Sequence, residues 1–158
     1  KLMRGKPGTE VSLTIVREEQ DKPLIITVVR DVIKTVSVKQ RMLADGFGYV
    51  RISQFQSKTA ENMVDAVAEL RKEAGGPLKG LVLDLRNNGG GSLADAVEVS
   101  GLFLPGGPVV QIKNSEGQML VLEDDDKGLV YDGPMLVLVN QFAASASEIL
   151  ADHPRRCV

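Results

Sequence analysis

The stretch Leu81-Val-Leu-Asp-Leu-Arg-Asn-Asn-Gly-Gly-Gly-Ser92 limits what this chain can fold into more than any other. Leu81 to Leu85 is nearly all apolar, as in a strand of a parallel sheet covered on both faces, and it runs into glycines just before a helix-compatible segment. The order repeats from Met135: an apolar run, a break, and a helix start within Val139-Asn-Gln-Phe-Ala-Ala-Ser-Ala-Ser-Glu-Ile149. Successive strand, loop and helix units predict an α/β fold. They also bring two helix N-termini together, and the free N–H groups there favour negative charge. Ser145 stands at the second start, where the first has Gly89, Gly90 and Gly91. A hydroxyl beside a hollow suited to an anion predicts acyl transfer.

At 158 residues, 43% apolar and 25% charged, the chain can bury one ordinary core and carries no fibrous or disordered bias. A formal net charge of -2 offers no electrostatic case for nucleic acid or an anionic membrane. No stretch approaches the ~18 apolar residues of a membrane span, and no signal peptide opens the sequence. The lone cysteine, Cys157, rules out an internal disulfide and a cysteine-based zinc site. The opening Lys1-Leu-Met-Arg resembles the end of a helix, so the chain reads as a piece cut from a longer protein.

Val11 to Ile15 alternates as a half-buried strand does, Glu18 to Lys22 reads as a hairpin loop, and Leu24 to Arg30 gives a second, β-branched strand. Asp31 to Asp45 is read as a connection to the strand pattern at Phe47 to Phe55. Ser57 is the expected N-cap of a helix running to about Ala74, with Met63, Val67 and Leu70 on its apolar face and Gly75-Gly76-Pro77 as its stop. Val109 to Lys113 and Gln118 to Leu122, flanking Asn114-Ser-Glu-Gly117, predict a hairpin.

Each motif has a competing reading. Gly89-x-Gly91-x-x-Ala94 fits a loose dinucleotide fingerprint, but Val109 to Asn114 lacks the acidic residue that should hold a ribose, and no Lys-Ser/Thr pair marks a P-loop. The glycines alone could form only a tight turn, and either Ser145 or Ser147 could merely cap a helix. His153, the only histidine, lies two helical turns past Ser145 and is followed by Pro154, which disfavours a serine–histidine pair. Asp124-Asp-Asp126 lacks the alternating ligand spacing of a calcium loop and reads as a solvated turn.

Taken in order, these motifs resemble the carboxyl-terminal processing or tail-specific proteases, serine peptidases of the S41 type. Lys1 to Thr9 with the two strands after it resembles the second half of that family's PDZ domain. Gly48-Tyr-Val-Arg-Ile52, Gly80 to Asn88 with the glycines, Gly101-Leu-Phe-Leu-Pro105 and Ser145-Ala-Ser-Glu-Ile149 resemble successive motifs of its catalytic core. The resemblance implies a crotonase-like (ClpP/crotonase-type) α/β peptidase core over residues 34–158, preceded by an incomplete PDZ β unit over residues 1–33. It implies Ser145 as nucleophile, the backbone N–H groups of Gly91 and Ala146 as the oxyanion hole, and Gly90 and Glu148 in support.

The family's general base is a lysine on a Gly-Lys-Gly strand beyond the helix that the nucleophile opens. No lysine follows Lys127 here, and the tail from Ala151 departs from the family pattern, so the expected Ser-Lys dyad lacks its lysine in this chain. The resemblance further implies an endopeptidase that cleaves proteins near exposed C-termini, in the periplasm or cell envelope, with no metal or organic cofactor. Its partners would be peptide or protein substrates, with an adaptor or a second copy of the chain as further partner classes. The competing expectation is a catalytically inactive peptide-binding or scaffold protein that keeps the fold.

Overall fold

A computed structural model describes residues 3–18, 20, 22–31, 36–124 and 128–152. The chain divides into two compact units, Lys1–Thr35 and Val36–Val158.

In the first unit, β1 (Glu10–Ile15) and β2 (Leu24–Val29) pair antiparallel from Glu10↔Val29 to Ile15↔Leu24. Arg30 closes the open end of the ribbon, its guanidinium donating to the Glu10 carbonyl at 2.8 Å, Thr9 Oγ1 at 2.9 Å and the Met3 carbonyl at 2.9 Å. Part of the Glu18 to Lys22 loop, Glu19 and Asp21, lies outside the described residues.

The second unit is built on a sheet of four strands in the order β3 (Val38–Ala44), β4 (Phe47–Ile52), β5 (Gly80–Asp84) and β8 (Met135–Leu138). β3 pairs antiparallel with β4, whereas β4, β5 and β8 run parallel. Helix α1 (Thr59–Ala74) connects β4 to β5, and α2 (Leu93–Gly101) follows β5. The hairpin of β6 (Gly107–Lys113) and β7 (Met119–Asp124) stands as a separate two-stranded ribbon, and α3 (Ala146–Asp152) follows β8.

Strand period and helix period meet in the core. Gly48, Val50 and Ile52 alternate onto one face of β4, and β5 sets Leu81 and Leu83 beside Gly48 and Val50. Met63, Val67 and Leu70 of α1 are fully buried in the same cluster with Phe55, Leu85, Ala96, Val99 and Leu150. A Cβ on Gly48 would lie 2.9 Å from Leu70 Cδ1, so the bare backbone there lets α1 come down onto the sheet. Each such large side chain taken from water contributes about 1.5–3 kcal/mol. The opposite face of β5 is not apolar throughout: Val82 is only partly covered and Asp84 is a buried carboxylate.

Two expectations from sequence need correction. The segment Asp31 to Asp45 is more than a connection, because Val38–Ala44 is an edge strand; residues 32–35 lie outside the described residues. Its run Lys39-Gln40-Arg41 hides the period of two, since an edge strand with one face in water can carry polar residues on successive positions. The signal was Asp45-Gly46, a tight-turn dipeptide between two strands.

Ser57 is also not the cap of α1. The helix begins at Thr59 after Lys58, which has φ 75° and no side-chain cap bond. Buried Thr59 decides the start, because its Oγ1 donates to the Gln56 carbonyl at 2.5 Å and accepts from the Gln56 N–H at 2.9 Å, closing a turn over Ser57. At the other end the stop at Gly75 and Gly76 holds, with Gly76 N–H on Arg71 O and Gly75 N–H on Lys72 O, the Schellman closure.

Lys58 in the left-handed region is a local cost that an asparagine tolerates better. Lys58→Asn is expected to stabilise the chain by about 0.5 kcal/mol, the loss of the exposed pair with Glu61 counting for little. A higher midpoint in thermal unfolding checks it; a lower one means that the lysine stem contributes more than its backbone costs.

Candidate active site

Parallel pairing sets the ends of β5 and β8 level, Asp84 opposite Leu138, so the loops leaving both strands start from the same edge of the sheet. The first loop is drawn back along the chain after β4. Phe55 forms a parallel bridge with Gly91, its N–H donating to Gly90 O at 3.0 Å and its carbonyl accepting from Ser92 N–H at 2.9 Å. Ser92 then caps α2, its Oγ accepting from Asp95 N–H at 3.2 Å.

Asparagines join the two loops. The Asn87 and Asn140 side chains bond each other at 2.9 Å, and Asn140 Oδ1 also accepts from the Asn87 N–H at 2.9 Å. Deeper in, the Asn88 carbonyl accepts from Ala144 N–H at 3.1 Å and from Ser147 Oγ at 2.9 Å. The Asn88 side chain donates to Ile52 O at 2.9 Å and accepts from Gly90 N–H at 2.9 Å. Asn88 and Ser147 are completely buried.

The five residues named above for the site, Ser145, Gly90, Gly91, Ala146 and Glu148, all lie among the described residues. Ser145 is exposed and directly precedes α3, with φ 55°. A non-glycine residue in that region costs of order 1–3 kcal/mol and marks a backbone held by its surroundings. The holding bonds are visible: the Ser145 N–H donates to Glu148 Oε2 at 2.7 Å, and its carbonyl accepts from the N–H groups of Glu148 and Ile149. Glu148 thus reaches back over the first turn of α3, half of a capping box, with its charge at the positive end of the helix.

Gly90 is buried against the serine. A Cβ there would meet Ser145 Cβ at 3.0 Å, Ala144 O at 2.9 Å and Ala146 N at 3.2 Å, so a side chain is excluded. Gly91, exposed and with φ 143°, tolerates one even less, since its Cβ would sit 2.0 Å from Phe55 O. The Gly90 N–H is committed to Asn88, whereas the N–H groups of Gly91 and Ala146 have no hydrogen-bond partner among the described residues. Near a serine hydroxyl, two uncommitted amides are suited to an oxyanion.

The dinucleotide alternative loses its geometry, because Val109 to Asn114 runs into an antiparallel hairpin instead of a neighbouring parallel strand. His153, Cys157, and Asp125 and Asp126 of the acidic run lie outside the described residues. Among the described residues no cluster of His, Cys, Asp and Glu could hold a metal ion, and no helix is long and apolar enough to cross a membrane.

Sequence reasoning passed over Asn88, Asn140 and Asp84, and it read Ser147 only as a possible helix cap, whereas its Oγ bonds the Asn88 carbonyl. Asp84 is fully buried; Tyr49 OH donates to it at 2.6 Å, and Arg86 donates through Nε at 2.9 Å, Nη2 at 2.7 Å and its backbone N–H at 2.9 Å. The bonds from Arg86 hold this carboxyl well below the usual carboxylate range, outweighing burial, which pushes it up; the Tyr49 bond adds to the lowering. The only hint in the sequence was an acidic residue inside an apolar run, two positions before an arginine.

The sign of the linkage follows from that depression. The contribution of Asp84 is complete above about pH 4, the unfolded value, and is lost as pH falls toward the folded one. The stability gap between the wild type and Asp84→Asn, read from urea midpoints, should therefore be constant from pH 7 to 5 and narrow toward pH 2.5. A gap independent of pH would show that the ion pair contributes nothing. At the glycine loop, Gly91→Ala should abolish any acyl-transfer activity and lower the unfolding midpoint, because a methyl group 2.0 Å from Phe55 O forces the loop off its bridge to Phe55. Retained activity would show that the loop can move aside at no functional cost.

The chain as a whole is similar to known proteins. A family model described as Peptidase family S41 matches residues 46–156. The chain is 41% identical over 162 residues to the carboxy-terminal-processing protease of Bartonella bacilliformis, covering 99% of this chain and 37% of that protein. It is 35% identical to the tail-specific protease of Haemophilus influenzae, covering 94% of this chain and 22% of that one. Among solved structures, the photosystem II D1 C-terminal processing protease superposes with a TM-score of 0.66 at 29% identity, over 96% of this chain and 42% of that one. The chain therefore spans between about a fifth and two fifths of the length of the two curated relatives. With a match over most of its residues and an α/β core like that of a solved relative, this chain belongs to peptidase family S41.

Proposed function

We propose that the chain carries the nucleophile and oxyanion hole of a serine endopeptidase that cleaves proteins near exposed C-termini. The observation that carries this reading is the junction of Ser145 with Gly90, which sets a strained, exposed serine beside two uncommitted amides. Ser145 Oγ attacks the scissile carbonyl, and the oxygen that gains charge is met by the Gly91 and Ala146 N–H groups. Collapse of that intermediate breaks the C–N bond, the amine leaving with the proton taken from Ser145, and the acyl-serine that remains is hydrolysed by water. Glu148 keeps the Ser145 backbone in its left-handed conformation and so holds the hydroxyl in place.

Proton removal from Ser145 belongs to a lysine, which must be neutral to act and therefore shielded from water. None of the residues after Ser145 in this chain is a lysine, and an arginine cannot substitute because its guanidinium stays protonated. Residues 1–33 belong, on this reading, to a PDZ module that presents a substrate's C-terminus, and the site of action is outside the cytoplasm. The relatives' names as carboxy-terminal-processing and tail-specific proteases support the substrate class.

A fluorophosphonate probe tests the reading. A form of the protein that includes the general base should label at Ser145 and degrade an unstructured protein substrate, and both activities should vanish in Ser145→Ala. The 158-residue chain alone should turn substrate over only at a trace, since sites without a base retain about 10³ to 10⁴-fold acceleration over water. No labelling in the form with the base would replace the peptidase with an inactive, peptide-binding scaffold of the same fold.

A further inference from the structure

We infer that Asn88 is a positioning residue for the oxyanion hole, setting both of its halves through one buried side chain and one backbone carbonyl; this deepens the peptidase reading and rests on it. Asn88 is completely buried, yet every polar group it owns is bonded. Nδ2 donates to Ile52 O at 2.9 Å, Oδ1 accepts from Gly90 N–H at 2.9 Å, and its own N–H donates to Leu85 O at 3.1 Å. Its carbonyl uses both lone pairs, on Ala144 N–H at 3.1 Å and Ser147 Oγ at 2.9 Å.

The orientation of the side-chain amide follows from its partners. Turning it over would set an NH₂ against the Gly90 N–H and an oxygen against the Ile52 carbonyl, leaving buried groups facing their own kind. In the fixed orientation Asn88 draws the Gly90 N–H inward and consumes it. The bridge to Phe55 takes the Gly90 carbonyl and the Ser92 N–H, so of three successive amides in the loop only that of Gly91 is left for a ligand.

The carbonyl of the same residue grips the serine segment on both sides of the nucleophile, at Ala144 before it and Ser147 after it. A shift of Asn88 would thus move the Gly91 amide and the Ser145 to Ala146 turn relative to each other. Residues that only fill the core do not have this reach. Leu83 and Leu85 are equally buried but have no side-chain donor or acceptor to hold either loop.

The test uses the full-length protein with its general base, in Asn88→Ala, Asn88→Asp and Ser147→Ala forms. Asn88→Asp keeps an acceptor for Gly90 but sets an oxygen against Ile52 O; Ser147→Ala removes one of the two bonds on the Asn88 carbonyl and leaves the side-chain amide intact. Turnover is expressed per site titrated with a fluorophosphonate, so that a smaller folded fraction does not count as slower chemistry. Misplacement on the scale of an ångström should lower kcat by about 10²-fold in Asn88→Ala and about 10-fold in Ser147→Ala, with KM within about twofold of wild type.

Affinity for a peptide boronic acid, whose tetrahedral adduct fills the oxyanion hole, should fall in parallel, while affinity for a product peptide should not. Unchanged kcat per titrated site and unchanged boronic acid affinity in the variants, with only the unfolding midpoint lowered, would overturn the inference and leave Asn88 a purely structural residue. Should Asn88→Ala fail to fold, Ser147→Ala decides alone. A wild type that neither labels nor turns over removes the peptidase reading itself, which separates that failure from a failure of this inference.

Discussion

Parallel pairing of β5 with β8 is the constraint on which the site depends. An antiparallel neighbour would send the loop after β8 to the far end of the sheet. With Asp84 opposite Leu138 in a parallel ladder, both strands stop at one level and their loops start side by side. The apolar face beneath that ladder, with Leu81 and Leu83 against Val50, Met63 and Leu70, fixes the register, because a slip by one residue would turn every side chain to the wrong face. Core packing and site geometry are therefore two consequences of one pairing.

What the ladder brings near, polar groups then hold. Two non-glycine residues, Asn87 with φ 62° and Ser145 with φ 55°, sit in the left-handed region, one in each loop. Both would relax if left alone. Each is restrained by bonds whose partners lie elsewhere in the site: Asn87 by Asn140, Ser145 by Glu148 and the first turn of α3. The strain is small beside the burial of the core, and half of it falls at the serine, which it leaves exposed.

A second polar centre lies just behind the glycine loop. Asp84 ends β5 and is clasped by Arg86, two residues on, and by Tyr49 across the pair; Tyr49 carries Arg41 over its ring at 5.0 Å. A carboxylate buried without such partners would be costly. With them it pins the chain at the point where β5 becomes loop, so that Leu85 to Asn88 turn in one direction only.

The sequence by itself determined most of the elements. The run at Leu81, the glycines, the apolar face of α1, the hairpin around Asn114 to Gly117 and the serine at a helix start are all written in local composition and spacing, and each of those elements forms where the pattern puts it. Features set by competition escaped it: β3 hid its period as an edge strand, and Thr59 took the start of α1 from Ser57. Only the tertiary structure decided which amides stay open. Asn88 and Ser147 meet across 59 residues, Asn87 and Asn140 across 53, and Tyr49 and Asp84 across 35. A hydrogen bond of that span leaves no period in the chain, because its partners are chosen by the folded backbone and by the cost of burying a polar group unpaired.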